Sequence, residues 1–181
     1  MAEDDDTLRH LVDDARSGDR DAFARLLESH YDRIHQLAWR WCRNRHDAEE
    51  ITQEVCIKLV SAIHDFRGEA AFSSWLYRVT LNTASDYSRR SKRRRDREEE
   101  SVQACDSGIS QATQEDALHA RLIRLCLTRL PDMLRRAVLL VHGEGLSHRK
   151  AGDVLECAEG TVSWRLSEAR KRLNDCLTQG G

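Results

Sequence analysis

Residues 145–173, GLSHRKAGDVLECAEGTVSWRLSEARKRL, hold two short apolar patterns at helical spacing, separated by only a few residues. Laid out at about 100° per residue, Val162, Leu166, Ala169 and Leu173 fall on one narrow stripe that must be buried. Ser163, Trp164, Ser167, Glu168 and Lys171 point the opposite way, with Arg165 and Arg172 on one flank and Arg170 on the other. The first segment starts at Ser147, a good N-cap, and turns Ala151, Val154 and Leu155 inward. Glu156 to Gly160 is long enough for a tight turn and too short for anything else. Helices this short do not persist alone in water, so the pair must pack against each other or a neighbour. Two helices joined this way, the second with a polar, basic outer face, fit a helix-turn-helix. The same pattern also fits a helical hairpin packed into a bundle, and the rest of the chain has to separate the two.

The 181 residues suffice for one medium domain or two small ones. Charged residues make up 33% and aromatics 6%, with a single proline and nine glycines, a composition that favours an all-α protein. No apolar run approaches the roughly 18 residues of a membrane span. The N-terminus, MAEDDDTLRH, is acidic and lacks the basic-then-apolar order of a secretion signal, so a cytoplasmic protein without membrane insertion is expected. The cysteines at 42, 56, 105, 126, 157 and 176 never form C-x-x-C, and in a reducing compartment most are expected to be small buried apolar residues. Cys42 and His46 lie four apart, but no second pair stands at ligand spacing, so neither a metal nor another cofactor is expected. With no Gly-rich phosphate loop, nucleophile elbow or Glu-x-x-His pair, no enzymatic activity is expected.

A net charge of −2 argues against a nucleic-acid binder until its distribution is considered. SRRSKRRRDR, residues 88–97, carries seven basic residues against one acid, and EEESVQACDSGISQATQEDA follows with acids alone. The basic block is most simply a contact for phosphate.

Four helices are predicted before and into that block. The first is short, Leu8 to Arg16. The second is long, capped by Asp19, with Phe23, Leu26, Leu27, Ile34, Leu37, Ala38 and Trp41 inward. The third turns Ala48, Ile51, Val55, Leu59 and Ala62 inward, and the fourth packs Trp75, Leu76, Val79 and Thr83. The loop DFRGEAAF, residues 65–72, joins them. Residues 98–115 read as a flexible acidic linker. A helix from Asp116 to Arg129, a break at Leu130-Pro131, a helix from Asp132 to about His142 and the opening pair complete the chain. The division is therefore 1–97, a linker at 98–115, and 116–178.

DAEEITQEVCIKL, FRGEAAFSSWLYRVTLN and GLSHRKAGDVLECAEGTVSWRLSEARKRL, in that order and spacing, resemble the extracytoplasmic-function class of bacterial RNA polymerase sigma factors, over about Leu8 to Leu177. The resemblance implies two helical domains, sigma region 2 and sigma region 4, and a factor that lends promoter specificity to core RNA polymerase. Region 2 would read the minus-ten element and region 4 the minus-thirty-five element. It implies that Asp47, Glu50, Gln53 and Glu54 on the third helix meet the clamp helices of the polymerase large subunit; unaided, the same residues read as a solvated acidic face. It implies that Phe66, Arg67 and Gly68 hold a base flipped from the downstream promoter element, with Trp75 and Asn82 on the fourth helix beside it. Trp75 fits equally as a core residue. Arg89, Arg90, Lys92, Arg93 and Arg94 would grip phosphates. Ser163, Trp164, Ser167, Glu168 and Lys171 would meet base edges of the upstream element, and Arg165, Arg170 and Arg172 its phosphates. Trp164 and Glu168 depart from the small polar or basic residues usual in the family; a glutamate there repels phosphate and can accept from a cytosine amino group. An anti-sigma factor is a further implied partner. A stand-alone helix-turn-helix regulator is the alternative, although it would need neither the acidic third helix nor the loop.

Overall fold

The computed structural model describes residues 2–98, 122, 123 and 125–179, and every regular element among them is helical. Helix α1 spans Ala2–Arg16, α2 Arg20–Cys42, α3 Arg45–Ala62 and α4 Phe72–Glu98. Asp19 caps α2 as predicted, its carboxylate accepting from the backbone N–H groups of Asp21 and Ala22. Asn44 caps α3 in the same way. A 3₁₀ turn, Ile63–Asp65, prolongs α3 and is tied to α1 by His64 Nδ1, 2.8 Å from the Arg16 carbonyl.

The second half starts with a short helical stretch, α5 (residues 125–129), broken at Leu130-Pro131 as expected. Then come α6, Asp132–Val138, running on as a π-helical turn at Leu139–Gly143, α7, His148–Leu155, and α8, Glu159–Gln179. The expected linker lies outside the described residues except for Glu98, the last residue of α4, and so do residues 116–121 and 124 of the predicted fifth helix.

Two apolar clusters hold the chain. In the larger, Ile34, Leu37, Trp41, Ile51, Val55, Leu76 and Leu81 are joined by Leu139, Leu140, Ala151, Val154 and Val162 from the second half. The two halves thus share a core. The smaller cluster has Leu130, Leu134 and Ala169 buried, with Leu127, Val138 and Leu173 packed on it. At the join, the Trp41 indole N–H donates to Ser88 Oγ at 2.8 Å, and the Arg135 guanidinium lies 4.4 Å from the Trp41 ring centroid. Burial pulls the Arg135 guanidinium down to about 10.

The cysteines depart from expectation. Cys126 and Cys176 are bonded to each other, and Cys42, Cys56 and Cys157 are free thiols only half-buried. Sequence spacing could not pair residues 50 positions apart.

Candidate nucleic-acid interface

Helices α7 and α8 form the helix-turn-helix. Ser147 Oγ accepts from the Lys150 N–H at 3.2 Å, opening α7, and Ala151, Val154, Val162 and Ala169 are buried as the stripe requires. The turn is Glu156 to Ala158, shorter than expected because α8 begins at Glu159; Glu156 takes the left-handed conformation, φ 51°. Gly152 was not singled out from sequence. A Cβ there would lie 2.7 Å from the Cys157 carbonyl oxygen, so only glycine lets the turn fold back against α7. An internal glycine in so short a helix was the available signal.

The outer face of α8 is open. Trp164 is 58% exposed, and Ser163, Ser167, Arg170 and Lys171 are exposed with it. Arg165 is half-buried, and Glu168 accepts from Arg172 Nε at 2.9 Å, which offsets part of its charge. Ser163 Oγ is hydrogen-bonded with His148 Nδ1 at 2.9 Å, so α7 fixes one hydroxyl on the reading face. No local pattern could have revealed that pairing.

The first half is different. Asp47 accepts from the Tyr87 hydroxyl at 2.9 Å, and burial together with that bond pushes the phenol up to about 12. Glu54 is paired with Arg90 and, at 3.1 Å, with Lys58. Burial works against the Glu54 carboxylate, but the hydrogen bonds from Arg90 and Lys58 outweigh it and hold its pKa below the ordinary value. Glu50 and Gln53 are exposed beside them, as are Ile57 and Val60 one turn on. The row expected to face outward therefore also binds the end of α4.

Phe66, which the resemblance places against a flipped base, is 7% exposed in this structure, edge-on to Phe72 at 5.6 Å and tilted against Trp75 at 5.2 Å. An apolar ring directly after the 3₁₀ turn gains more from this cluster than from water. Arg67 and Gly68 remain exposed, Gly68 with φ 73° at the bend. Trp75 is half-buried, packed on Phe66 and Phe72 while retaining some surface.

Asn82, Arg89 and Arg90 are each engaged within the chain. Asn82 Oδ1 accepts from Arg136 at 2.8 Å. Arg89 donates to Ser85 Oγ at 3.0 Å and lies 3.7 Å from Asp132, which Ser85 also contacts. Lys92, Arg93 and Arg94 are exposed. Nearby, Glu144 accepts from Arg40 and, at 3.0 Å, from the Tyr77 hydroxyl, whose pKa burial and Glu144 raise to about 12. Arg78 pairs with Glu156 of the turn. The second half thus lies across one side of α4.

A helix-turn-helix with an open polar and basic face, on an all-helical chain with a basic fourth helix, defines a DNA-binding transcription protein. Residues 26–94 match the family described as Sigma-70 region 2, and residues 120–173 that described as Sigma-70, region 4. The chain is 31% identical over 179 residues to the ECF RNA polymerase sigma-E factor of Haemophilus influenzae, covering 93% of this chain and 94% of that protein. It is 30% identical over 182 residues to the ECF RNA polymerase sigma factor SigW of Bacillus subtilis, with 94% and 96% covered. Among solved structures it is similar to the sigma factor RpoE in complex with the anti-sigma factor NepR from Bartonella quintana, with TM-score 0.62, 25% identity, and 86% and 96% of the two chains covered. CnrH in complex with the cytosolic domain of CnrY shares the fold, with TM-score 0.66, 23% identity, and 96% and 98% covered. The chain belongs to the ECF sigma factors, and its function is promoter-specific transcription initiation. Among the described residues, no helix is long and apolar enough to cross a membrane.

Proposed function

We propose that this sigma factor docks on the clamp helices of core RNA polymerase through α3, reads the minus-ten element with the loop after α3 and with α4, and reads the minus-thirty-five element with α8. The observation that carries the reading is the outer face of α8, where Trp164, Ser167 and Lys171 stand open on a helix whose opposite side is packed. Base edges are reached by such a face, and flanking arginines take phosphates. On α3 the exposed Glu50 and Gln53 lead the docking surface, with Asp47 and Glu54 joining when α4 releases them. In the loop, Arg67 and Gly68 present the approach to a flipped base, and the Phe66–Phe72–Trp75 cluster is the wall that holds the loop in shape. Lys92, Arg93 and Arg94 hold phosphates. An anti-sigma factor as partner is supported by similarity to a sigma factor solved with one. The factor acts in the cytoplasm and catalyses no reaction of its own.

Reconstituted transcription tests this. Purified chain with core polymerase should give promoter-dependent run-off, and neither component alone should. Glu50→Arg with Gln53→Arg should abolish pull-down of core polymerase while the helical circular dichroism is unchanged, because both positions are exposed. Sequence-specific repression by the chain without polymerase would instead support a stand-alone regulator.

A further inference from the structure

Cys126 lies in α5 and is 1% exposed; Cys176 lies near the end of α8 and is half-buried. Their Cα atoms are 5.8 Å apart, within the span a disulfide bridges, and the sulfurs are bonded across 50 residues of sequence. The pair joins α5 to α8 beside the smaller core, where, among the described residues, Leu130, Leu134 and Ala169 are buried. A core that small holds its helices weakly, so a covalent tie there matters more than it would in the larger one. We propose that Cys126 and Cys176 are a reversible thiol–disulfide site that rigidifies the smaller core when oxidised and lets α5 and the end of α8 loosen when reduced.

A factor that works with DNA and RNA polymerase works where glutathione and thioredoxin keep thiols reduced, and disulfides found there are usually transient and redox-sensing. The oxidant class is a small disulfide such as oxidised glutathione. The half-exposed Cys176 thiolate attacks it, forming a mixed disulfide and expelling one glutathione thiolate. Cys126 then attacks the Cys176 sulfur and expels the second. Two protein protons end on two glutathione thiols, and the protein gains one S–S bond. Cys42 and Cys56 compete poorly: burial pushes Cys42 up to about 11 and raises Cys56 as well.

The effect is confined by the two-core plan. Ala151, Val154 and Val162 belong to the larger core, so the helix-turn-helix stays formed in either state. Helix α6 packs on the smaller core, and its Asp132 and Arg136 are the groups that hold Ser85, Arg89 and Asn82 of α4. Reduction therefore weakens the grip on the minus-ten side of α4 and leaves the α8 reading face intact. The link to promoter reading rests on the function proposed above; the thiol chemistry is read directly from the cysteines, so failure of one leaves the other standing.

The full chain, equilibrated in glutathione buffers from oxidised to reduced, is quenched, alkylated and analysed by mass spectrometry, with amide hydrogen exchange at each ratio. Cys126 and Cys176 should become alkylated together as glutathione is reduced. Exchange at residues 125–138 and 173–177 should then rise by roughly tenfold or more, with residues 151–162 unchanged. Both cysteines remaining free in excess oxidised glutathione, or exchange that ignores their state, would overturn the proposal. Cys176→Ala, at a half-buried position, should show the reduced pattern at every ratio; a redox-dependent pattern in that variant would also overturn it.

Discussion

The two functional surfaces are built on opposite plans. On α3 and α4 many of the polar groups are already engaged within the chain, Asp47 by Tyr87, Glu54 by Arg90 and Lys58, Asn82 by Arg136, and Arg89 by Ser85 and Asp132, while Glu50, Gln53 and Lys92 to Arg94 are exposed. On α8 Trp164, Ser167 and Lys171 look into solvent, with Trp164 more than half exposed. The cause lies in packing. Helix α4 is pressed by α2 and α3 on one side and by α6 and α7 on another, whereas α8 packs along one stripe only. A surface like that of α8 is ready for a ligand. One like that of α4 must exchange internal partners for external ones, and each such exchange returns only the difference between two similar hydrogen bonds.

The comparison breaks most readily at Trp41, which belongs to the core shared by both halves and is fully buried beneath Arg135. Trp41→Ala should cost about 3–5 kcal/mol of unfolding free energy in urea titration. Because Val154 and Val162 share that core, hydrogen-exchange protection of the helix-turn-helix should fall together with that of α2 and α3. Protection at 151–162 that survives would mean the open surface is held independently of the engaged one.

The sequence was most legible where the determinants are local. The caps at Asp19 and Ser147 and the inward rows of α2, α3 and α8 follow from spacing of three and four residues, and the structure keeps them. The open face of α8 could be read for the same reason. The engaged face of α4 could not: Asn82 and Arg136 are 54 residues apart, and no helical period connects them. The inward turn of Phe66 was not legible, because composition cannot tell whether a loop aromatic turns inward, and here the rings of Phe72 and Trp75 supply the place for it. Trp75 fits both of its sequence readings in part, since it packs on those rings while remaining half-exposed to whatever approaches the loop.

DNA binding sharpens the contrast at intermediate size. Lys171→Ala or Ser167→Ala in holoenzyme should cost roughly 1–3 kcal/mol on the preferred minus-thirty-five sequence and less on altered ones, because base contacts specify. Arg93→Ala, on the exposed end of α4, should weaken all sequences about equally and lower the salt slope by about one. Filter binding over a salt series with two promoter variants separates these outcomes. A changed sequence preference with Arg93→Ala would show that the basic end reads bases rather than phosphates.

The smallest effect comes from the engaged side, at Glu54. Its carboxylate accepts from Arg90 and Lys58, and these bonds, acting against burial, hold its pKa below the ordinary 4.5. A carboxyl depressed in the folded state contributes stability above its unfolded pKa and loses that contribution as pH falls through the folded value. The pairing should therefore stabilise at neutral pH and fade below about pH 4. Because Arg90 is exposed and Glu54 is partly so, water screens the pair, and the contribution at neutral pH is about 0.2–1 kcal/mol. Glu54→Gln keeps the shape but has no charge to lose. Its urea midpoint should lie slightly below that of the native chain at neutral pH, and the two should converge as pH falls below about 4, where the native carboxyl protonates. A constant gap across that range would mean that the Glu54 carboxylate is no better stabilised in the folded chain than in the unfolded one. The α3 row would then be as open as α8, and the distinction between the two surfaces would fail at the residue where it is most directly measured.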